Sequence, residues 1–305
     1  MYDIIIIGSG PAGLSAAVYA QREQLNSAVI EKNYMGTGQI AESERVDNYL
    51  GLYGESGYDL GEKFREHAEA LGTEFIDGEV IKIKPLEKTY NIELADGKVI
   101  ETKTIIYASG AEHRKLNVKG EDEFSGKGVS YCAVCDGAFY KGKTVAVVGG
   151  GDTALGDAIL LSKIAEKVYI IHRRNEFRAN KALQLRVKNT PNIETIMDSV
   201  PTEILGDKKV TAVKIQQNNE GKNIVVDGIF VAVGNTPNSS VLSGIADTDK
   251  NGYIIANEDG ITSAKGIFVA GDVRTKPLRQ VITAVSDGAN CVMSAENYIQ
   301  ENFDI

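Results

Sequence analysis

Ile4-Ile5-Ile6-Ile7-Gly8-Ser9-Gly10-Pro11-Ala12-Gly13 sets the fold at the very start of the chain. Four β-branched residues in a row predict a strand buried on both faces, which need not alternate. The glycine cluster predicts a turn. Leu14 to Gln21, rich in alanine and leucine, predicts a helix, and Ala28-Val29-Ile30-Glu31 predicts a second strand ending in an acid. This order is a dinucleotide fingerprint. Gly8 shapes the turn, Gly10 lets backbone approach a pyrophosphate, Gly13 lets helix pack on strand, and Glu31 takes a ribose hydroxyl.

The pattern returns in mid-chain. Val145-Ala146-Val147-Val148 predicts the strand, and Gly149, Gly151 and Ala154 stand where Gly8, Gly10 and Gly13 stood, with Gly150, Asp152 and Thr153 between them. One chain therefore carries two βαβ nucleotide modules, an α/β architecture. The acid position differs between them. Glu31 maps onto His172, which is followed by Arg173, Arg174 and Arg178. An acid there would repel a 2′-phosphate, whereas guanidinium groups bind one through paired hydrogen bonds. The second module is expected to take NADPH. His172 either touches the ribose or fills space.

Cys132-Ala133-Val134-Cys135-Asp136 lies just before the second module. Two thiols three positions apart can close and reopen a small disulfide, and Asp136 is the natural proton donor and acceptor beside them. A structural zinc needs about four ligands. The chain has three cysteines and three histidines, and no second CxxC or spaced histidine pair. Cys291, in an apolar C-terminal stretch, reads as a buried spectator.

With 33 Lys and Arg against 42 Asp and Glu, the net charge is −9, which argues against a nucleic-acid partner. No apolar run approaches ~20 residues, so no membrane span is expected. The first residues lack a basic stretch and a signal-length apolar run, which gives a cytoplasmic expectation. Late in the chain, Ile267 to Ala270 predicts a strand running into Gly271-Asp272. Arg279-Gln280-Val281 then opens a helix with apolar positions Val281, Ile282, Val285, Ala289, Val292 and Met293. An acid such as Asp272 can hold a ribityl hydroxyl, and a helix N-terminus favours negative charge. These features favour FAD at the first module.

Taken together, these motifs closely resemble low-molecular-weight bacterial-type thioredoxin reductases over essentially the whole chain. The resemblance rests on Gly8 to Gly13, Gly38-Gln39, Cys132 to Asp136, Gly149 to Ala154, His172-Arg173-Arg174 with Arg178, Gly271-Asp272 and Arg279-Gln280, all in the family's order. It implies two Rossmann-like domains, an NADPH domain (114–239) inserted into a discontinuous FAD domain (1–113 and 240–305). Asn48, Val80, Gly110 and Val281 join the FAD set on the same ground. Ser109-Gly110-Ala111 and Gly234 to Asn238 offer the turn residues for the two crossings.

The implied activity is NADPH-dependent thioredoxin-disulfide reduction, with electrons passing from NADPH to FAD to Cys132–Cys135 to thioredoxin or a similar small dithiol carrier. Cys135 would face the flavin and Cys132 the carrier. A homodimer and a rotation of one domain against the other are implied as well. The alternatives are a relative serving a glutaredoxin-like or peroxiredoxin-linked carrier, one fed by ferredoxin, or a flavin-binding redox sensor without turnover. Two positions depart from the family pattern. Thr37 precedes Gly38-Gln39 where glycine is common, and Leu50 follows Asn48-Tyr49 where proline is common.

Overall fold

A computed structural model describes residues 1–303 except 34, 44 and 219. The chain divides into two compact units, Met1–Glu112 with Thr236–Ile305, and His113–Asn235.

The first unit opens with β1 (Tyr2–Ile7), α1 (Pro11–Arg22) and β2 (Ser27–Glu31), as the opening motif predicts. It continues through α2 (Gly57–Ala70), β3 (Glu74–Asp77), β4 (Val80–Pro85), β5 (Tyr90–Leu94) and β6 (Val99–Tyr107). The strand order is β3-β2-β1-β6-β5-β4. β1, β2, β3 and β6 run parallel, while β4 and β5 form an antiparallel extension. Successive residues of β1 point to opposite faces. Ile4 and Ile6 enter the core beneath α1, and Ile5 and Ile7 enter the core on the other face.

After β7 (Ala111–His113) comes the second unit, with β8 (Val129–Ser130), α3 (Ala133–Asp136), β9 (Thr144–Val148), α4 (Asp152–Leu161), β10 (Lys167–Ile171), α5 (Lys181–Lys188) and β11 (Ile193–Ile196). A β-meander follows, β12 (Ser199–Gly206), β13 (Val210–Gln217) and β14 (Glu220–Val225), and then β15 (Gly228–Val231). The parallel sheet runs β11-β10-β9-β15-β8, and the meander forms its own sheet.

The chain leaves through β16 (Asn235–Pro237) and completes the first unit with β17 (Ile267–Val269) and α6 (Val281–Asn302). β17 pairs with the second half of β6, so the end of the chain extends the sheet begun at its start. α6 lies against α1. A Cβ on Gly288 would overlap the Ala12 carbonyl, and Ser15 Oγ donates to the Val285 carbonyl at 2.7 Å.

This close approach corrects the apolar face expected for α6. Ile282 and Met293 are exposed, and the buried positions are Ala284, Asp287, Gly288, Cys291, Val292, Ala295 and Ile299. Small residues go inward because the two backbones nearly touch. Among the described residues no helix is long and apolar enough to cross a membrane.

Candidate active site

In the first unit the glycine turn is built almost without side chains. Gly8 has φ +101°, and a Cβ there would lie 2.6 Å from the Ala108 carbonyl oxygen. A Cβ on Gly13 would overlap the Gly8 carbonyl, so helix and turn can meet only at glycine. α1 starts at Pro11 with no side-chain cap and no acid in its first turn, which leaves the first N–H groups facing outward. Glu31, at the end of β2, accepts the Ser9 N–H at 2.9 Å.

Other predicted residues gather around this turn. Gly38 (φ +79°) approaches Gly10 so closely that a Cβ would sit 2.9 Å from its Cα, and Gln39 opens the short 3-10 helix that follows. Thr37 fits because Gly61 on α2 leaves room for it; a Cβ on Gly61 would come within 2.8 Å of the Thr37 Cβ. Gly271 lies over Ala12, with 3.0 Å from its ideal Cβ position to the Ala12 Cβ. Arg279 Nε donates to the Asp272 carbonyl at 3.5 Å, and its guanidinium stacks on Tyr253. Asn48 Nδ2 donates to Gln280 Oε1 at 2.8 Å.

Gln280, with Thr283, caps the start of α6 at Val281, so Asp272 is not the cap of that helix. Asp272 sits in a 3-10 turn, Gly271–Val273. Val80 packs at the edge of the core, and Gly110 (φ +68°) accepts the Asn238 N–H at 3.0 Å.

Sequence reasoning missed the buried cluster that anchors this turn. Asp287 accepts the Gly271 N–H at 2.9 Å, Arg274 Nη2 at 2.7 Å and Lys276 Nζ at 2.7 Å. Nothing local in the sequence reveals that α6 turns Asp287 inward.

In the second unit, the turn from β9 to α4 repeats the design with a wider fit. Gly149 has φ +154°, and a Cβ would lie 2.7 Å from that of Ala154, so alanine is accommodated where the first turn needs Gly13. Around Gly151 there is open space. Asp152 Oδ1 accepts the Asn180 N–H at 2.7 Å, and Thr153 is exposed on the same first turn of α4.

His172 is buried and its ring lies against Gly150. Its Nε2 is 3.0 Å from the Glu176 carbonyl. Burial, with the neighbouring charges of Arg173 and Arg174, holds its pKa below the ordinary histidine value despite that bond. The side chain is a strut under the turn. Arg173, Arg174 and Arg178 are exposed and, among the described residues, form no ion pair. Arg178 N–H donates to the Gly150 carbonyl at 2.8 Å, which brings the arginine loop to the glycine turn.

Cys132 and Cys135 are joined as a disulfide in the same unit. Ala133, between them in sequence, is buried in the core formed by β9 and α4 and so anchors the redox turn. Tyr140 closes it by meeting Phe230 of β15 edge to face at 5.2 Å. Cys132 Sγ accepts the Cys135 N–H at 3.2 Å. Asp136 is half-buried, and its Oδ2 accepts the Ser130 hydroxyl at 2.6 Å. Ser130 also escaped the sequence reading, since a serine at a strand end carries no signal.

The model of the pyridine nucleotide-disulphide oxidoreductases matches residues 2–288. A thioredoxin reductase of Listeria innocua is 42% identical over 304 residues, covering 99% of this chain and 95% of its own length. The chain belongs to the thioredoxin reductase family of pyridine nucleotide-disulphide oxidoreductases. A Bacillus subtilis thioredoxin reductase is 40% identical over 305 residues, 99% of this chain and 96% of that one. The crystal structure of a Streptococcus pyogenes thioredoxin reductase matches with a TM-score of 0.94 at 41% identity, over 99% of both chains. The α/β fold is that of the thioredoxin reductases.

Proposed function

We propose that the chain is an NADPH-dependent thioredoxin-disulfide reductase that uses FAD. The observation that carries this reading is a disulfide, Cys132–Cys135, beside an acid, in a unit that also holds a nucleotide turn flanked by exposed arginines.

The first unit is the FAD domain. Its uncapped α1 N-terminus and glycine-rich turn suit a pyrophosphate, Glu31 suits a ribose, and Asp272 with the α6 N-terminus suits the ribityl and ring end. The second unit is the NADPH domain, with Gly149 to Ala154 under the pyrophosphate and Arg173, Arg174 and Arg178 on the 2′-phosphate. Bound flavin supplies a carrier that takes a hydride's two electrons from a nicotinamide and yields them to a disulfide.

The chain's own residues do the rest. The N–H of Cys135 favours negative charge on Cys132 Sγ, which suits Cys132 as the attacking thiolate once the pair is reduced. Cys132 gives its proton to Asp136 and attacks the carrier's disulfide; one carrier sulfur leaves, and Asp136 passes that proton to it. Asp136 then takes the proton of Cys135. The Cys135 thiolate attacks Cys132 Sγ, and the second carrier sulfur leaves and takes that proton. Both protons of the enzyme dithiol end on the carrier.

The carrier is thioredoxin, and the enzyme is a cytoplasmic homodimer. Because dithiol and NADPH turn belong to one unit and flavin to the other, the two half-reactions follow each other through reorientation of the units.

The test is the anaerobic flavin spectrum on adding NADPH and then oxidised thioredoxin. Bleaching followed by recovery is expected. Bleaching without recovery would point to another carrier, and no bleaching would sink NADPH as donor in favour of ferredoxin.

A further inference from the structure

We propose that Ser130 is a positioning residue for the dithiol chemistry, holding Asp136 beside Cys132 and Cys135 in both its charged and its neutral form. The proposal rests on Asp136 being the proton donor and acceptor.

Ser130 is the last residue of β8, whose partner β15 fixes it through the pair Phe230↔Ser130. It is 5% exposed, so its hydroxyl must find partners within the protein. Three lie within reach. Its Oγ accepts the Cys132 N–H at 3.1 Å, faces Asp136 Oδ2 at 2.6 Å and lies 3.4 Å from the Cys132 carbonyl.

A hydroxyl has one proton to give and two lone pairs to receive with. With Asp136 ionised, the hydroxyl proton goes to Oδ2, a short charge-assisted bond. With Asp136 protonated, its O–H donates to Ser130 Oγ, and the serine proton turns to the Cys132 carbonyl. The Cys132 N–H stays bonded to Oγ in both states. Asp136 can thus release a proton to a departing carrier sulfur and recover one from Cys135 without losing its partner or its place. Alanine at 130 would remove this bond from the carboxyl and this acceptor from the Cys132 N–H.

The experiment is a double-mutant cycle on the FAD-loaded enzyme, read as kcat and KM for thioredoxin reduction. Asp136→Asn should lower kcat by about 100-fold or more. Ser130→Ala should lower it by about tenfold with KM for NADPH and thioredoxin unchanged. The double variant should be no slower than Asp136→Asn alone, because a residue acting through another has nothing left to act on. Ser130→Thr, which keeps the hydroxyl, should recover most of the rate. If Ser130→Ala does not fold, the isosteric pair Ser130→Thr and Ser130→Val, with and without the hydroxyl, should show the same contrast.

Wild-type kcat in Ser130→Ala, or a double variant slowed by the product of both single losses, would overturn the proposal while leaving Asp136 its role. Wild-type kcat in Asp136→Asn would remove that role and the proposal with it.

Discussion

At the scale of single residues, the second nucleotide turn shows how neighbours in sequence take separate tasks. His172 lies under Gly150, and Arg173 and Arg174 reach solvent. Under the proposed function, NADPH discrimination is assigned to the arginines. Arg173→Ala with Arg174→Ala should raise KM for NADPH by about a hundredfold, at roughly 1.5–3 kcal/mol per charge-assisted contact, and leave KM for NADH nearly unchanged. Equal losses for both nucleotides would mean that the arginines do not read the 2′-phosphate. Cys291 makes the opposite case. It is buried, and burial pushes its thiol well above the ordinary cysteine value. Alkylation at neutral pH should label Cys132 and Cys135 only after reduction, and Cys291 only after unfolding. Mass spectrometry of the labelled peptides checks this.

At the scale of elements, α4 and α6 show how packing overrides a helix's sequence pattern. Asp157 sits on α4, half-buried, and burial lifts its carboxyl to about 6. Between about pH 4 and 6 the folded chain holds a proton that the unfolded chain has released. The contribution to stability therefore falls as pH rises through that window and stays low above it. Asp157→Asn should raise stability at pH 8 by roughly 1–3 kcal/mol and change it little at pH 4. A difference in melting temperature that does not depend on pH would refute this. On α6 the apolar positions suggested one face, and contact with α1 selected another. Gly288, not a larger apolar residue, faces Ala12, and Asp287 faces inward to hold the turn bearing Asp272.

At the scale of the whole molecule, one unit is inserted into the other, with crossings at Glu112/His113 and Asn235/Thr236. Both passages are bonded within their own unit. The Arg114 N–H donates to the Gly234 carbonyl at 3.0 Å in one, and the Asn238 N–H to the Gly110 carbonyl at 3.0 Å in the other. Short crossings of this kind can act as hinges, since a few residues absorb the change in dihedral angle. A cross-link that fixes the units in one orientation should allow one half-reaction and block the other. Flavin emission can follow the movement, since the chain has no tryptophan to do so. Normal turnover in the locked enzyme would end the reorientation model.

The sequence by itself determined both nucleotide modules, the dithiol and the acid behind it. Those signals are local: a glycine turn needs its glycines at fixed spacing, and a CxxC pair is its own geometry. Tertiary structure alone decided the rest. Thr37 is accommodated by Gly61 from another element, and Gly271 is held by Asp287 from the second turn of α6. Ser130 is only six residues from Asp136, yet their bond depends on how a strand end turns into a short helix. Each of these depends on the direction in which packing points a side chain, and spacing along the chain does not encode that direction.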